Sequence, residues 1–168
     1  KRQVVHLRPF KCSELSEARL PPARERLEAV VARVMEFLGF KPYTDVRLPN
    51  RGGGETEVDV WAVKGDFRVY VSCKNWDRDV GRDVIEQEFG RVYNLREIPH
   101  LKILVVSGLT DEARTSARAD GFYIIELGGK VRGDNMVDVC EVIQERLTSI
   151  FTSIAPPQLQ EAYGRLEE

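Results

Sequence analysis

Two strand-like runs, GETEVDVWAV and FRVYVSCKNW, carry an acid and a base in positions that can serve chemistry: Asp59 in the first and Lys74 at the end of the second. Side chains alternate across a strand. A regular alternation puts Asp59, Trp61 and Val63 on one face, Val58, Val60 and Ala62 on the other, and Tyr70, Ser72 and Lys74 together in the second run. Lys64-Gly65-Asp66 between the runs has turn chemistry, so the two runs pair as an antiparallel hairpin and Asp59 comes close to Ser72 and Lys74. A carboxylate and an ammonium at one end of a sheet are the parts of a phosphodiester-hydrolysing site. The carboxylate holds a divalent cation against a phosphate oxygen, and the ammonium orients water or neutralises developing charge. The competing reading is a cross-strand ion pair worth at most about 1 kcal/mol.

The elements that must position this pair follow from periodicity. Leu27, Val30, Val31, Val34 and Leu38 recur at helical spacing, and Gly39 closes that helix. TDVRLPN reads as a short strand or arm and RGGG as a turn; the hairpin follows. From about Arg82 to Leu95 the stripe Val84, Ile85, Phe89, Val92 predicts a second helix. LKILVVSG is apolar enough for a strand covered on both faces. TDEARTSARADG predicts a helix capped by Thr110 and ended by Gly121, FYIIEL a strand, and Met136 to about Phe151 a last helix. The order of helix, three strands, helix, strand, helix, strand, helix is that of an α/β sandwich with a mixed sheet. Residues 1–26 read as an N-terminal extension with a strand and short helix, 27–152 as the domain, and 153–168, with Pro156-Pro157, as a linker or tail.

Composition narrows the class. A chain of 168 residues, 42% hydrophobic and 31% charged, suits one soluble globular domain. No apolar run approaches the ~20 residues of a membrane span, so no membrane partner is expected. Cys12, Cys73 and Cys140 are scattered and form no C-x-x-C pair, which supports neither a disulfide framework nor zinc and favours a reducing, intracellular, cytoplasmic setting. The chain begins at Lys1 rather than Met, which leaves room for an additional domain outside it. A net charge of −2 gives no global attraction to nucleic acid, so any such contact must use a local patch.

LEAVVARVMEFLGF, then GGGETEVDVWAVKGDFRVYVSCKNW, VIEQEFGRV and ILVVSGLTDEARTSARADGFYIIEL, taken in this order, resemble the Mrr-like restriction endonucleases of the PD-(D/E)XK nuclease superfamily. The resemblance spans roughly Leu27 to Leu127. It implies a restriction-endonuclease-like α/β fold, a mixed β-sheet sandwiched by helices, and a DNA endonuclease dependent on Mg²⁺ or Mn²⁺. It also implies roles. Asp59 matches the aspartate of the PD element, Lys74 the lysine of the signature, and Glu28 the glutamate of the opening helix. The backbone carbonyl of Cys73 falls at a metal ligand, and Gln87 where relatives keep a polar residue near the site. DNA is then the partner, and a homodimer would be needed for concerted double-strand cutting by one site per chain.

Ser72 departs from that pattern, which has Glu or Asp there and often Gln in the Mrr-like branch. A serine keeps an oxygen but loses charge and reach. Asp59 with Glu28 could still hold magnesium, with Glu57, and Glu55 beyond it, as displaced acids on the same strand face; solvated charge is their plainer reading. The alternative is a catalytically degenerate nuclease-fold module that binds DNA or a protein without cleaving it. Arg47, Arg51, Lys64, Arg68, Arg78 and Arg82 cluster in sequence around the pair as candidate phosphate contacts, and Trp76 as a candidate stacking residue. His6 and His100 lack a catalytic partner pattern, and RGGGE is not a nucleotide-binding loop.

Overall fold

The computed structural model describes residues 11–13 and 23–154. The expected strand in VVHLRPF, and the tail from residue 155, lie outside the described residues. Among the described residues nine helices and strands follow in the expected order: α1 (Ala23–Phe37), β1 (Lys41–Pro49), β2 (Glu55–Lys64), β3 (Phe67–Lys74), α2 (Arg82–Asn94), β4 (Leu101–Val106), α3 (Asp111–Ala119), β5 (Phe122–Glu126) and α4 (Met136–Ser153). The strands form one mixed sheet in the order β1-β2-β3-β4-β5, antiparallel up to β3 and parallel from there on.

Local chemistry explains the boundaries that matter. Gly39 ends α1 at φ 91°, a conformation that costs glycine little. Lys64 pairs with Phe67 across a two-residue turn whose first position, Gly65, has φ 58°, the hairpin geometry that glycine permits. The Thr110 hydroxyl accepts the Ala113 amide at 3.1 Å and caps α3.

Each face of the sheet has its own core. On one, Val60, Ala62, Val69, Val71, Ile103 and Val105 pack against α1 and α4; on the other, Val58, Trp61, Tyr70, Leu104 and Val106 pack against α2 and α3. Because β3 is covered on both sides, its residues 69–72 are all buried. No helix among the described residues is long and apolar enough to cross a membrane.

Cys12 and Cys140 form a disulfide, with Cα atoms 5.7 Å apart. This corrects the expectation that the cysteines stay unbridged. Partners separated by 128 residues leave no local spacing to read, and the inference of a reducing compartment loses its premise. Alkylation of the unfolded protein without reductant should therefore modify only Cys73, and all three cysteines after reduction; three labelled cysteines without reductant would refute the bridge.

Candidate active site

Asp59 sits where the ladders of β2 skip a residue. The β1–β2 ladder pairs Thr44 with Val60 and Val46 with Val58 but passes over Asp45 and Asp59, and the β2–β3 ladder ends at Val60 and Val71. Asp45 has φ 48°, a left-handed backbone that aspartate tolerates better than most residues, and the regular pleat is lost at this point. Val58 consequently shares the α2/α3 face with Trp61, not the opposite face with Val60 as unbroken alternation predicts. The Asp59 carboxylate reaches the end of β3, where Oδ2 accepts the Cys73 amide at 2.7 Å. Burial raises the pKa of Asp59, and the charges of Glu88 and Asp45 add to that; the Cys73 amide and Lys74 only partly offset it.

Three elements converge here. Carboxylate oxygens of Glu28 from α1, Asp45 from β1 and Asp59 from β2 lie within 4.8 Å of one another. Glu28 is buried, whereas Asp45 is exposed. A cleft of about 620 Å³ opens beside them, lined by Glu28, Glu55, Thr56, Glu57 and Asp59 on its acidic side and by Lys74, Arg91 and Lys130 among its other residues. Lys74 presents its carbonyl to β4, where the Ser107 amide donates to it at 3.1 Å. Backbone groups alternate sides along a strand, so those of Cys73 face β2 and its carbonyl points to the side of Asp59. Burial, followed by the charges of Asp59 and Glu28, pushes the Cys73 thiol well above its ordinary pKa, so Cys73 is no thiolate nucleophile.

Lys74 is held from the opposite side of the sheet. Its Nζ lies 2.7 Å from Oε1 of Glu88, and the Tyr70 hydroxyl donates to Oε2 of the same carboxylate. Tyr70 and Lys74 flank Ser72 on one strand face, so the Glu88 carboxylate spans the space above Ser72. Ser72 itself is buried, and its Oγ is the one buried side-chain oxygen or nitrogen among the described residues without a hydrogen-bond partner. Burial alone would raise Glu88, but Lys74, the Tyr70 hydroxyl and Arg91, 3.6 Å away, hold it below its ordinary pKa. Desolvation and the adjacent Glu88 charge push Tyr70 upward, so it remains a neutral donor.

The structure thus brings Glu28, Asp59, Cys73, Lys74 and Trp76 to one cleft, with Glu55 and Glu57 at its edge. Gln87 is exposed on α2, and its neighbour Glu88 faces inward in line with Ile85 and Val92. Lys64 and Arg68 lie at the far end of the hairpin, about 20 Å along β3 from Lys74 for Arg68. There the Arg68 guanidinium donates to the Ile98 carbonyl. Arg51 donates to the Leu95 carbonyl and packs over Tyr93; Arg82 pairs with Glu86. Arg78 stacks on Trp76, and Arg47 is paired in the ladder opposite Glu57. Asp45, Glu88, Arg91 and Lys130 escaped sequence reasoning. Only Glu88 carried a signal, an acid on the inward stripe of an amphipathic helix.

Residues 23–138 match the family model of the Mrr catalytic domain, described as a restriction endonuclease. The chain belongs to this family. No curated protein matches it. Among solved structures, this Mrr-family domain is similar to AF1548, a protein of unknown function, with TM-score 0.53 and 22% identity over 60% of this chain and 56% of that one. A repair endonuclease from Pyrococcus abyssi matches at TM-score 0.47 and 25% identity, covering 66% of this chain and 49% of that chain. Protein VC1899 from Vibrio cholerae matches at TM-score 0.49 and 16% identity over 71% and 31%. The domain therefore spans about half the length of the first two, and the likeness to AF1548 shows the fold.

Proposed function

We propose that this Mrr-family domain is a DNA endonuclease dependent on Mg²⁺ or Mn²⁺. The observation that carries this reading is the opening of Asp59, Glu28 and Lys74 into one cleft in a chain of this family. The donor set fits a hard divalent cation: oxygens of three carboxylates from separate elements lie within 4.8 Å of one another, and burial, with the charges of Glu88 and Asp45 added, deprives the ionised Asp59 carboxylate of solvation that a cation would replace. Asp59, Glu28, Asp45 and the Cys73 carbonyl would hold the ion. A bound ion of this kind polarises a phosphate oxygen and acidifies water.

The chain's own residues do the rest. Lys74, fixed by Glu88, presents an ammonium to the attacking water or to a phosphate oxygen. Glu88 occupies the space over Ser72 from α2 and acts through Lys74, so it is a positioning residue. Two copies would be required for concerted double-strand cutting. Incubation of plasmid DNA with Mn²⁺ should give nicked and linear products with the wild type and a loss of about 10²-fold or more with Lys74→Ala. Equal cleavage by both proteins would sink the assignment.

The buried, unpartnered hydroxyl of Ser72 favours one second reading, a module that binds DNA without cutting it. DNA retardation with no plasmid cleavage in Mg²⁺ or Mn²⁺ would select it.

A further inference from the structure

The acidic side of the cleft repels a polyanion, so a nucleic-acid strand entering it must be met by cations from the other walls. Those cations come from segments remote in sequence. We propose that Arg91 and Lys130 are phosphate contacts that seat a DNA strand across the end of β3, and that Asn75 and Asn135 hold Lys130 ready for it. The inference rests on the nuclease reading and names how that site meets its substrate.

Lys130 lies between β5 and α4, outside any helix or ladder, yet its backbone is fixed on both sides. The side chain of Asn75, the residue after Lys74, accepts the Val131 amide at 2.8 Å and donates to the Val131 carbonyl at 3.3 Å. Val131 is buried in the α1/α4 core. From the other direction the Asn135 side chain donates to the Lys130 carbonyl at 2.8 Å and accepts the Arg132 amide at 2.7 Å. Lys130 is thereby tied to the strand end that carries Lys74. Its Nζ lies 3.1 Å from Asp77, whose side chain is 84% exposed, a contact that exchanges readily for a phosphate.

Arg91 enters from the opposite layer. It stands on α2, half exposed, and touches Glu88 only at 3.6 Å, which leaves most of its guanidinium donors for a phosphate. Because α2 and α4 cover opposite faces of the sheet, Arg91 and Lys130 bracket Lys74 from the two sides. A backbone crossing the sheet end would meet Lys130, Lys74 and Arg91 while its central phosphate lies beside Asp59.

The test measures binding of a fluorescein-labelled duplex by anisotropy over a series of KCl concentrations with Mg²⁺ present, using Asp59→Asn as the uncut reference. Adding Lys130→Ala or Arg91→Ala should each weaken binding by roughly threefold to tenfold and reduce the salt slope by about one. Arg118→Ala, in the last turn of α3, removes the same charge and should do neither. Asn75→Ala should weaken binding as Lys130→Ala does, and the two together should be no worse than either alone. A reference that binds DNA while Lys130→Ala and Arg91→Ala leave affinity and slope unchanged overturns the inference, and additive losses overturn the role of Asn75. If neither the wild type nor the reference binds DNA, the nuclease reading fails and this inference with it.

Discussion

Replacing Asp59 with asparagine should lower DNA cleavage by more than ~100-fold while leaving the metal-free protein at least as stable as the wild type at neutral pH. The two effects share one cause. Burial and the charges of Glu88 and Asp45 raise Asp59 above its ordinary pKa, so the fold favours its protonated form. A group shifted in this direction contributes stability below its unfolded pKa and loses it as pH rises through the folded value. Above that window the ionised carboxylate is a cost that asparagine avoids. Thermal melts in EDTA from about pH 3 to pH 8 should show the variant gaining on the wild type as pH rises through the Asp59 titration. Adding Mg²⁺ should raise the melting temperature of the wild type more than that of the variant. Retained cleavage in Asp59→Asn, or equal metal-induced stabilisation of both, would remove Asp59 from the site.

The second large effect is at Glu88. Glu88→Ala leaves the Lys74 ammonium, 14% exposed, without its partner and deprives the Tyr70 hydroxyl of its acceptor, and should cost about 3–5 kcal/mol in urea unfolding at neutral pH. The sign with pH is opposite to that of Asp59. Glu88 is held below its ordinary value of 4.5, so its contribution is present above that value and is lost as pH falls through the depressed folded pKa. The acid limb of the stability curve should flatten in the variant. Glu88→Gln keeps the shape and removes the charge; it should fold and cut DNA about 10–100-fold more slowly, as the loss of an orienting partner does. Unchanged cleavage by Glu88→Gln would show that Lys74 needs no such support.

Ser72 shows why the site was only half legible. On a regular pleat, Ser72 stands where an acid is missing and Gln87 is the nearest polar candidate on the following helix. The folded chain puts Glu88 over Ser72 instead, because Ile85, Glu88 and Val92 form the inward stripe of α2 and Phe89, at 39% exposure, falls on its margin. Apolar periodicity cannot identify a buried acid whose partners, Lys74 and Tyr70, lie on another element. Asp45 was equally hidden. Nothing in TDVRLPN announces a left-handed residue, and its proximity to Asp59 comes from the β1–β2 register, which sets the two residues opposite one another between the pairs Thr44–Val60 and Val46–Val58.

The sequence by itself determined the order of elements, a turn around Gly65, the cap at Thr110 and the pairing of an acid-bearing strand with a lysine-bearing one. These are local properties, set by side-chain period, backbone preference and chain proximity. Tertiary structure alone decided which carboxylates meet, that Glu88 rather than a residue of β3 holds Lys74, and that the cleft's other cations are Arg91 and Lys130. Charges act across space, over a few ångströms set by packing. Arg68, sharing a strand with Lys74, ends far from it, while Lys130, more than fifty residues away, is fastened beside it by Asn75.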